Sequence, residues 1–100
     1  MMYAMTGKLT ARPGQRAEMT DVLLRAAKVV SGLSGCKMYL VCEDVSNENM
    51  VWVFEIWDDK EAHDASLLDE RVRALIAEAR PMMGGAPGGA ELRVAGGHGL

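Results

Sequence analysis

Four side chains in this sequence combine a useful chemistry with a telling position: His63, Tyr39, Glu55 and Trp57. Imidazole is the side chain whose ordinary pKa lies nearest neutrality. His63 stands one turn before Leu67, at the edge of an apolar stripe with helical spacing. There it serves either as a general base or as a half-buried structural histidine bonded to Asp59 or a backbone carbonyl. Tyr39 offers a hydroxyl to a ligand, or a core ring whose hydroxyl is satisfied internally. Glu55 is the single charge in the apolar run Met50 to Trp57. A buried carboxylate is costly, so it is either protonated through a raised pKa or paired with a cation such as Arg93 or a partner-chain arginine. Trp57 shares the Glu55 face and reads as pocket wall or core.

Other chemistries find less support. Asp59 and His63 have helical ligand spacing, but no third or fourth ligand lies nearby, so no metal is expected. Cys36 and Cys42 fall in one strand; six residues of strand span roughly 20 Å, whereas bridged α-carbons lie within about 7 Å. They cannot bridge to each other and read as free thiols. The run Gly84 to Gly89 lacks the Lys-Ser/Thr end of a phosphate loop and precedes a strand, so it reads as a mobile stretch beside a pocket mouth. No Ser-His-acid spacing is interpretable, and His98 lies in a Gly-rich tail.

These groups must be positioned by 100 residues, enough for one domain over 1–100 and one modest core. With 49% hydrophobic and 25% charged residues, the composition is that of a folded globular chain. A net charge of -3 with no basic stripe argues against a nucleic-acid partner. No apolar run approaches the ~20 residues of a membrane span, and Met1 to Thr10 turns polar too early for a signal peptide. A cytoplasmic location is expected.

Met2 to Ala11 alternates as a strand until Arg12-Pro13-Gly14 breaks it. Met19, Val22, Leu23, Ala26, Val29 and Val30 recur at helical spacing, predicting a helix over 15–30 that Ser31-Gly32 ends. Cys36 to Glu43 and Met50 to Trp57 read as a hairpin joined by the turn formers of 44–49. Asp58 followed by Glu61 resembles a capping box, opening a short helix from Lys60 to Leu68. A second helical stretch carries Val72, Leu75, Ile76 and Ala79 and stops at Pro81; Ala90 to Ala95 is the last strand. Strand, helix, strand, strand, helix, strand suits an α+β, ferredoxin-like split βαβ fold with an antiparallel sheet.

The third strand is apolar on both faces. Val51, Val53 and Trp57 lie with Glu55, and Met50, Trp52, Phe54 and Ile56 lie opposite. Helices cover one face only. Leaving four large side chains wet forfeits roughly 6–12 kcal/mol, comparable with the whole stability of a small domain, about 5–15 kcal/mol. A second copy of the sheet is the economical cover, so a homodimer is expected.

Several short stretches occur in a distinctive order: Gly7-Lys8-Leu9 before Pro13-Gly14-Gln15; Gly35-Cys36 followed by Tyr39; Glu55-Ile56-Trp57 running into Asp58-Asp59-Lys60-Glu61-Ala62-His63; Val72-Arg73-Ala74-Leu75-Ile76; Arg80-Pro81; and the closing Gly96-Gly97-His98-Gly99-Leu100. In this order the chain resembles the antibiotic biosynthesis monooxygenase (ABM) domain family, which includes cofactor-independent quinol monooxygenases. The resemblance implies a dimeric α+β barrel with a pocket in each protomer between sheet and helices. It also implies oxygenation of a phenolic, anthrone or quinol-type aromatic substrate with O2 and no cofactor. The haem-degrading branch uses an Asn, a Trp and an iron-ligating His where this chain has Gly7, Ser66 and Ile76, so that activity is not expected. For the remaining chemistry, His63 and Tyr39 are the expected catalytic groups, polarising the substrate, with Trp57 and Glu55 as substrate-binding residues. A non-catalytic dimeric module binding a small aromatic metabolite, or a proton-transfer isomerase on the same scaffold, stands as the alternative.

Overall fold

Alternation in the strands and three-to-four spacing in the helices decide which residues meet in the core. The computed structural model describes residues 2–100. Strand β1 (Tyr3–Thr10) leads through a turn to helix α1 (Arg16–Val30). Strands β2 (Cys36–Glu43) and β3 (Met50–Trp57) follow, then helices α2 (Lys60–Ser66) and α3 (Glu70–Ala79), and finally β4 (Gly88–Arg93). The strands form one antiparallel sheet in the order β2-β3-β1-β4, the α+β ferredoxin-like arrangement. Among the described residues no helix is long and apolar enough to cross a membrane.

The α1 stripe is Met19, Val22, Ala26 and Val30, all buried against the sheet. Val51, Val53 and Trp57 of β3 meet it from the other side, and complete burial of Trp57, Met19, Val22 and Val51 contributes about 1.5–3 kcal/mol for each aliphatic side chain. Trp52, Phe54 and Ile56 point to the opposite face and stay partly exposed. The hairpin is closed by Asp44, whose Oδ1 accepts the N–H groups of Ser46 and Asn47 at 2.8 Å each. Its Oδ2 accepts the Trp52 indole N–H at 2.9 Å, tying the turn to the outer face. Arg16 of α1 donates to the carbonyls of Asp44 and Asn47, anchoring the same turn from the helix side.

Several boundaries differ from expectation by one or two residues, and three of the differences have a visible cause. The cap of α2 is Asp59 rather than Asp58; its carboxylate accepts the Ala62 N–H at 2.8 Å. This helix also stops at Ser66, and Asp69 caps α3 by accepting from Arg71 and Val72. Strand β4 starts at Gly88, not Ala90, because the chain pairs Gly88 and Gly89 with Lys8 and Gly7. A side chain at Gly89 would collide with the Thr6 carbonyl oxygen, so glycine here permits close pairing rather than a loop.

Gly35 fixes the approach of α2 to the sheet. It has φ +86°, a Cβ there would lie 2.6 Å from the Cβ of Ala62, and its carbonyl accepts the Asp58 N–H at 2.8 Å. Gly35→Ala is therefore expected to lower stability by roughly 2 kcal/mol through left-handed backbone cost and overpacking. Urea unfolding measures this; a midpoint equal to wild type would mean that α2 yields freely.

Candidate active site

Register brings the chemistry together. Tyr39 of β2 and Glu55 of β3 are direct cross-strand partners on the inner face of the sheet. Directly opposed residues of an antiparallel pair hold their Cβ atoms about 4.5–5.5 Å apart. A bulge between Cys36 and Met38 sets Cys36 opposite Trp57, so Cys36 packs against the core while Cys42, opposite Trp52, faces the other way. The two free cysteines thus lie on different faces of the sheet.

The Glu55 carboxylate is half-buried and takes its hydrogen bond from an unexpected donor. Trp57 Nε1 donates to Glu55 Oε1 at 3.0 Å, the two residues being next neighbours on one strand face. Arg93, the cation considered from sequence, lies on β4 opposite Tyr3, with β1 separating it from β3. Burial pushes the Glu55 carboxyl above the usual range; the indole N–H and nearby His63 offset this only in part. Burial likewise pushes the Tyr39 phenol up, with the neighbouring Glu55 charge and Cys36 adding to it. Tyr39 therefore stays protonated and able to donate at physiological pH.

Both groups line a cavity of about 820 Å³ between the sheet and the helices. Met19, Val22 and Ala26 of α1 face it from one side, and Val72, Leu75 and Ile76 of α3 from another. Gly84, Gly85 and Pro87 border it, as does the Arg12 and Arg80 pair. A volume of this size suits a small organic ligand, and its apolar walls suit aromatic rings.

Two of the four candidates lie behind this wall. Trp57 is completely buried and is not among the lining residues; it acts on the site by orienting Glu55. His63 is also buried outside the lining, with its ring centroid 5.2 Å from that of Tyr3 and 6.0 Å, edge-on, from that of Trp57. Its Nδ1 donates to Asp64 Oδ1 at 3.0 Å, rather than to Asp59. That bond is the leading influence holding the exposed Asp64 carboxyl below the usual range. Arg12 and Arg80 escaped the sequence reading, although each stands just before a proline at the end of an element. Among the described residues no group of three or more His, Cys, Asp or Glu side chains converges as a metal site.

Comparison with known proteins agrees with this architecture. The family model described as antibiotic biosynthesis monooxygenase matches residues 2–78. A protein from Chloroflexus aurantiacus J-10-fl assigned to the antibiotic biosynthesis monooxygenases is 37% identical, with a TM-score of 0.89 over 99% of this chain and 98% of its own. One from Caulobacter crescentus CB15 with the same assignment is 26% identical, with a TM-score of 0.88 over 95% of this chain and 91% of its own. A variant of SnoaB, a cofactor-independent oxygenase from Streptomyces nogalater, shares the fold at 14% identity and a TM-score of 0.84, covering 96% of this chain and 95% of its own. No curated protein matches by sequence. Matched by the family model over most of its length and 37% identical to a relative across 99% of its residues, the chain belongs to the antibiotic biosynthesis monooxygenase family.

Proposed function

We propose that the chain is a cofactor-independent monooxygenase that oxidises a phenolic, anthrone or quinol-type aromatic substrate with O2. One observation carries this reading. A carboxylate with a raised pKa and a phenol held protonated face each other across two strands, at the floor of an otherwise largely apolar cavity. Glu55 is the better-placed base, because it borders the cavity and His63 does not. Tyr39 is the donor that stabilises the anion formed, and Trp57 and His63 position Glu55 from behind.

For an anthrone the steps balance. Glu55 takes a proton from the activated CH2 carbon, and the resulting charge delocalises onto the ketone oxygen across the ring, where Tyr39 donates a hydrogen bond. The anion gives one electron to O2; radical and superoxide combine to form a carbon–peroxide bond. Loss of the second C–H proton breaks the O–O bond, leaving one oxygen atom as the quinone carbonyl. The other departs as hydroxide and takes a proton to become water. Apolar walls keep bulk water from protonating the carbanion before oxygen reaches it.

The same reading includes a homodimer, supported by the partly exposed outer face of Trp52, Phe54 and Ile56. Two such faces packed together would cover each other while leaving the cavity on the opposite side of each sheet.

Oxygen uptake with anthrone and dihydronaphthoquinol tests the activity; binding without uptake across such a panel would favour a non-catalytic binding module. Given activity, Glu55→Gln is expected to lower turnover by about 10²-fold or more, while His63→Ala costs less than tenfold, and the reverse order would return the base to His63. Stability gives an independent check on Glu55. Its carboxyl is raised in the folded chain, so the folded state holds a proton that the unfolded state has released, and stability falls as pH rises through that window. Glu55→Gln should remove this loss, making the variant's gain over wild type larger at pH 8 than at pH 4 in thermal melts. Phe54→Glu, at the centre of the outer face, is expected to yield a monomer by light scattering; an unchanged mass would sink the dimer.

A further inference from the structure

The cavity carries charge at two separated places. Glu55 sits where β3 runs beside Met5 of β1. Arg12 follows Met5 by seven residues of largely extended chain, roughly 20 Å between α-carbons along the strand direction, a gap that the reach of a glutamate and an arginine side chain can narrow to about 10 Å. Arg80 is held at the Arg12 end. The turn Arg80–Met82 receives the Arg12 backbone N–H on the Met82 carbonyl at 2.8 Å, and Arg12 Nε donates to the Met83 carbonyl at 3.2 Å. Arg12 and Arg80 both border the cavity, and among the described residues Glu55 is the only acidic one that does. Among the described residues neither arginine forms an ion pair, in contrast to Arg16, Arg25 and Arg71; Arg73 and Arg93 are likewise unpaired but do not border the cavity. Two guanidinium groups without carboxylate partners, at one end of an apolar chamber, make a receptor for an anion that arrives with the ligand.

We infer that the cavity takes an aromatic acid, with Arg12 and Arg80 as specificity-determining residues that hold its carboxylate at the end remote from the reacting hydroxyl or carbonyl. This inference rests on the oxygenase reading for the direction of the ligand, since it is Glu55 and Tyr39 that face the reacting end. The same direction follows from charge alone. A carboxylate beside half-buried Glu55 would set two anions together in a poorly solvated place, whereas at the arginine end it meets two cations. A guanidinium also presents paired N–H donors matched to the two oxygens of a carboxylate. The ligand class is therefore an elongated, mostly apolar ring system with a phenolic function at one end and a carboxylate at the other.

Calorimetry with three probes tests this without relying on turnover: 2-naphthol, 6-hydroxy-2-naphthoate with its carboxylate remote from the hydroxyl, and 3-hydroxy-2-naphthoate with the two adjacent. Wild type is expected to bind 6-hydroxy-2-naphthoate about tenfold tighter than 2-naphthol, and to gain nothing from the adjacent carboxylate. In Arg12→Gln/Arg80→Gln the ratio of the first two affinities should fall to about one. Arg80→Gln alone, which leaves the Arg12 contact to Met83 intact, should lower it in the same direction, and Arg80→Lys should retain part of it. Absence of carboxylate-dependent binding in wild type overturns the inference, as does a preference that survives the double substitution. Oxygen uptake is read separately. Retained carboxylate preference without uptake would reject the oxygenase reading alone; uptake with neutral quinols but no such preference would reject the anion subsite alone.

Discussion

Strand β3 is hydrogen-bonded along both edges, to β2 on one side and β1 on the other, so its pleat dictates the facing of the whole central sheet. A slip of one residue would send Glu55 and its buried neighbours to the outer face and bring Trp52, Phe54 and Ile56 inward. Bulk alone would not prevent this, because both sets are large and apolar. Polar attachments prevent it. Trp52 reaches its indole N–H to Asp44 on the hairpin turn, and Trp57 reaches its own to Glu55 on the inner face. Each bond works in only one register, and leaving a buried indole donor unpaired costs about 1–3 kcal/mol. Arg16 adds a third tie by holding the hairpin turn to α1.

The pleat also couples the acidity of the site to its construction. Glu55 and Tyr39 face each other because of register, and the Glu55 charge makes the Tyr39 phenol harder to ionise. Burial acts in the same direction on both. The carboxyl is left as the group that exchanges a proton, while the phenol remains a donor. Burial and direct opposition on an inner face thus act together to keep the phenol a donor beside the carboxyl.

The sequence was most informative where a pattern has a single structural meaning. β2 and β3 occur over the expected residues, since each is an apolar run bounded by turn formers, and Glu55 and Trp57 share the inner face as alternation requires. Sequence places the cap of α2 one residue early because Asp58 and Asp59 are adjacent and only the bond to Ala62 distinguishes them. β4 was started late because glycine disfavours strands in isolation, whereas pairing against Gly7 makes a bare backbone an asset. His63 illustrates a deeper limit. Helical spacing identified it as facing inward, but whether an inward residue meets a cavity or packs on Tyr3 and Trp57 depends on the angle at which α2 crosses the sheet. Arg12 and Arg80 were less legible still, since what unites them is the backbone bond between Arg12 and the turn after α3.

That bond sets Arg80 beside Arg12 at one level of the sheet. The Glu55 level of β1 is Met5, and the arginine level is the chain just beyond Thr10, where Ala11 pairs with Met83. The span between Glu55 and the two arginines is therefore measured along one strand, which is among the stiffest rulers a small domain can offer. Residues between these levels, Leu9 on the floor and Met19, Val22 and Ala26 above it, are apolar and provide no hydrogen-bonding side chain of their own. A ligand occupying that middle section is held by shape and hydrophobic contact, and its polar groups gain charged partners only at the two ends. Shortening the distance between those groups would leave either the carboxyl or the guanidinium end without a partner, so discrimination by length follows from the strand itself rather than from any added gate.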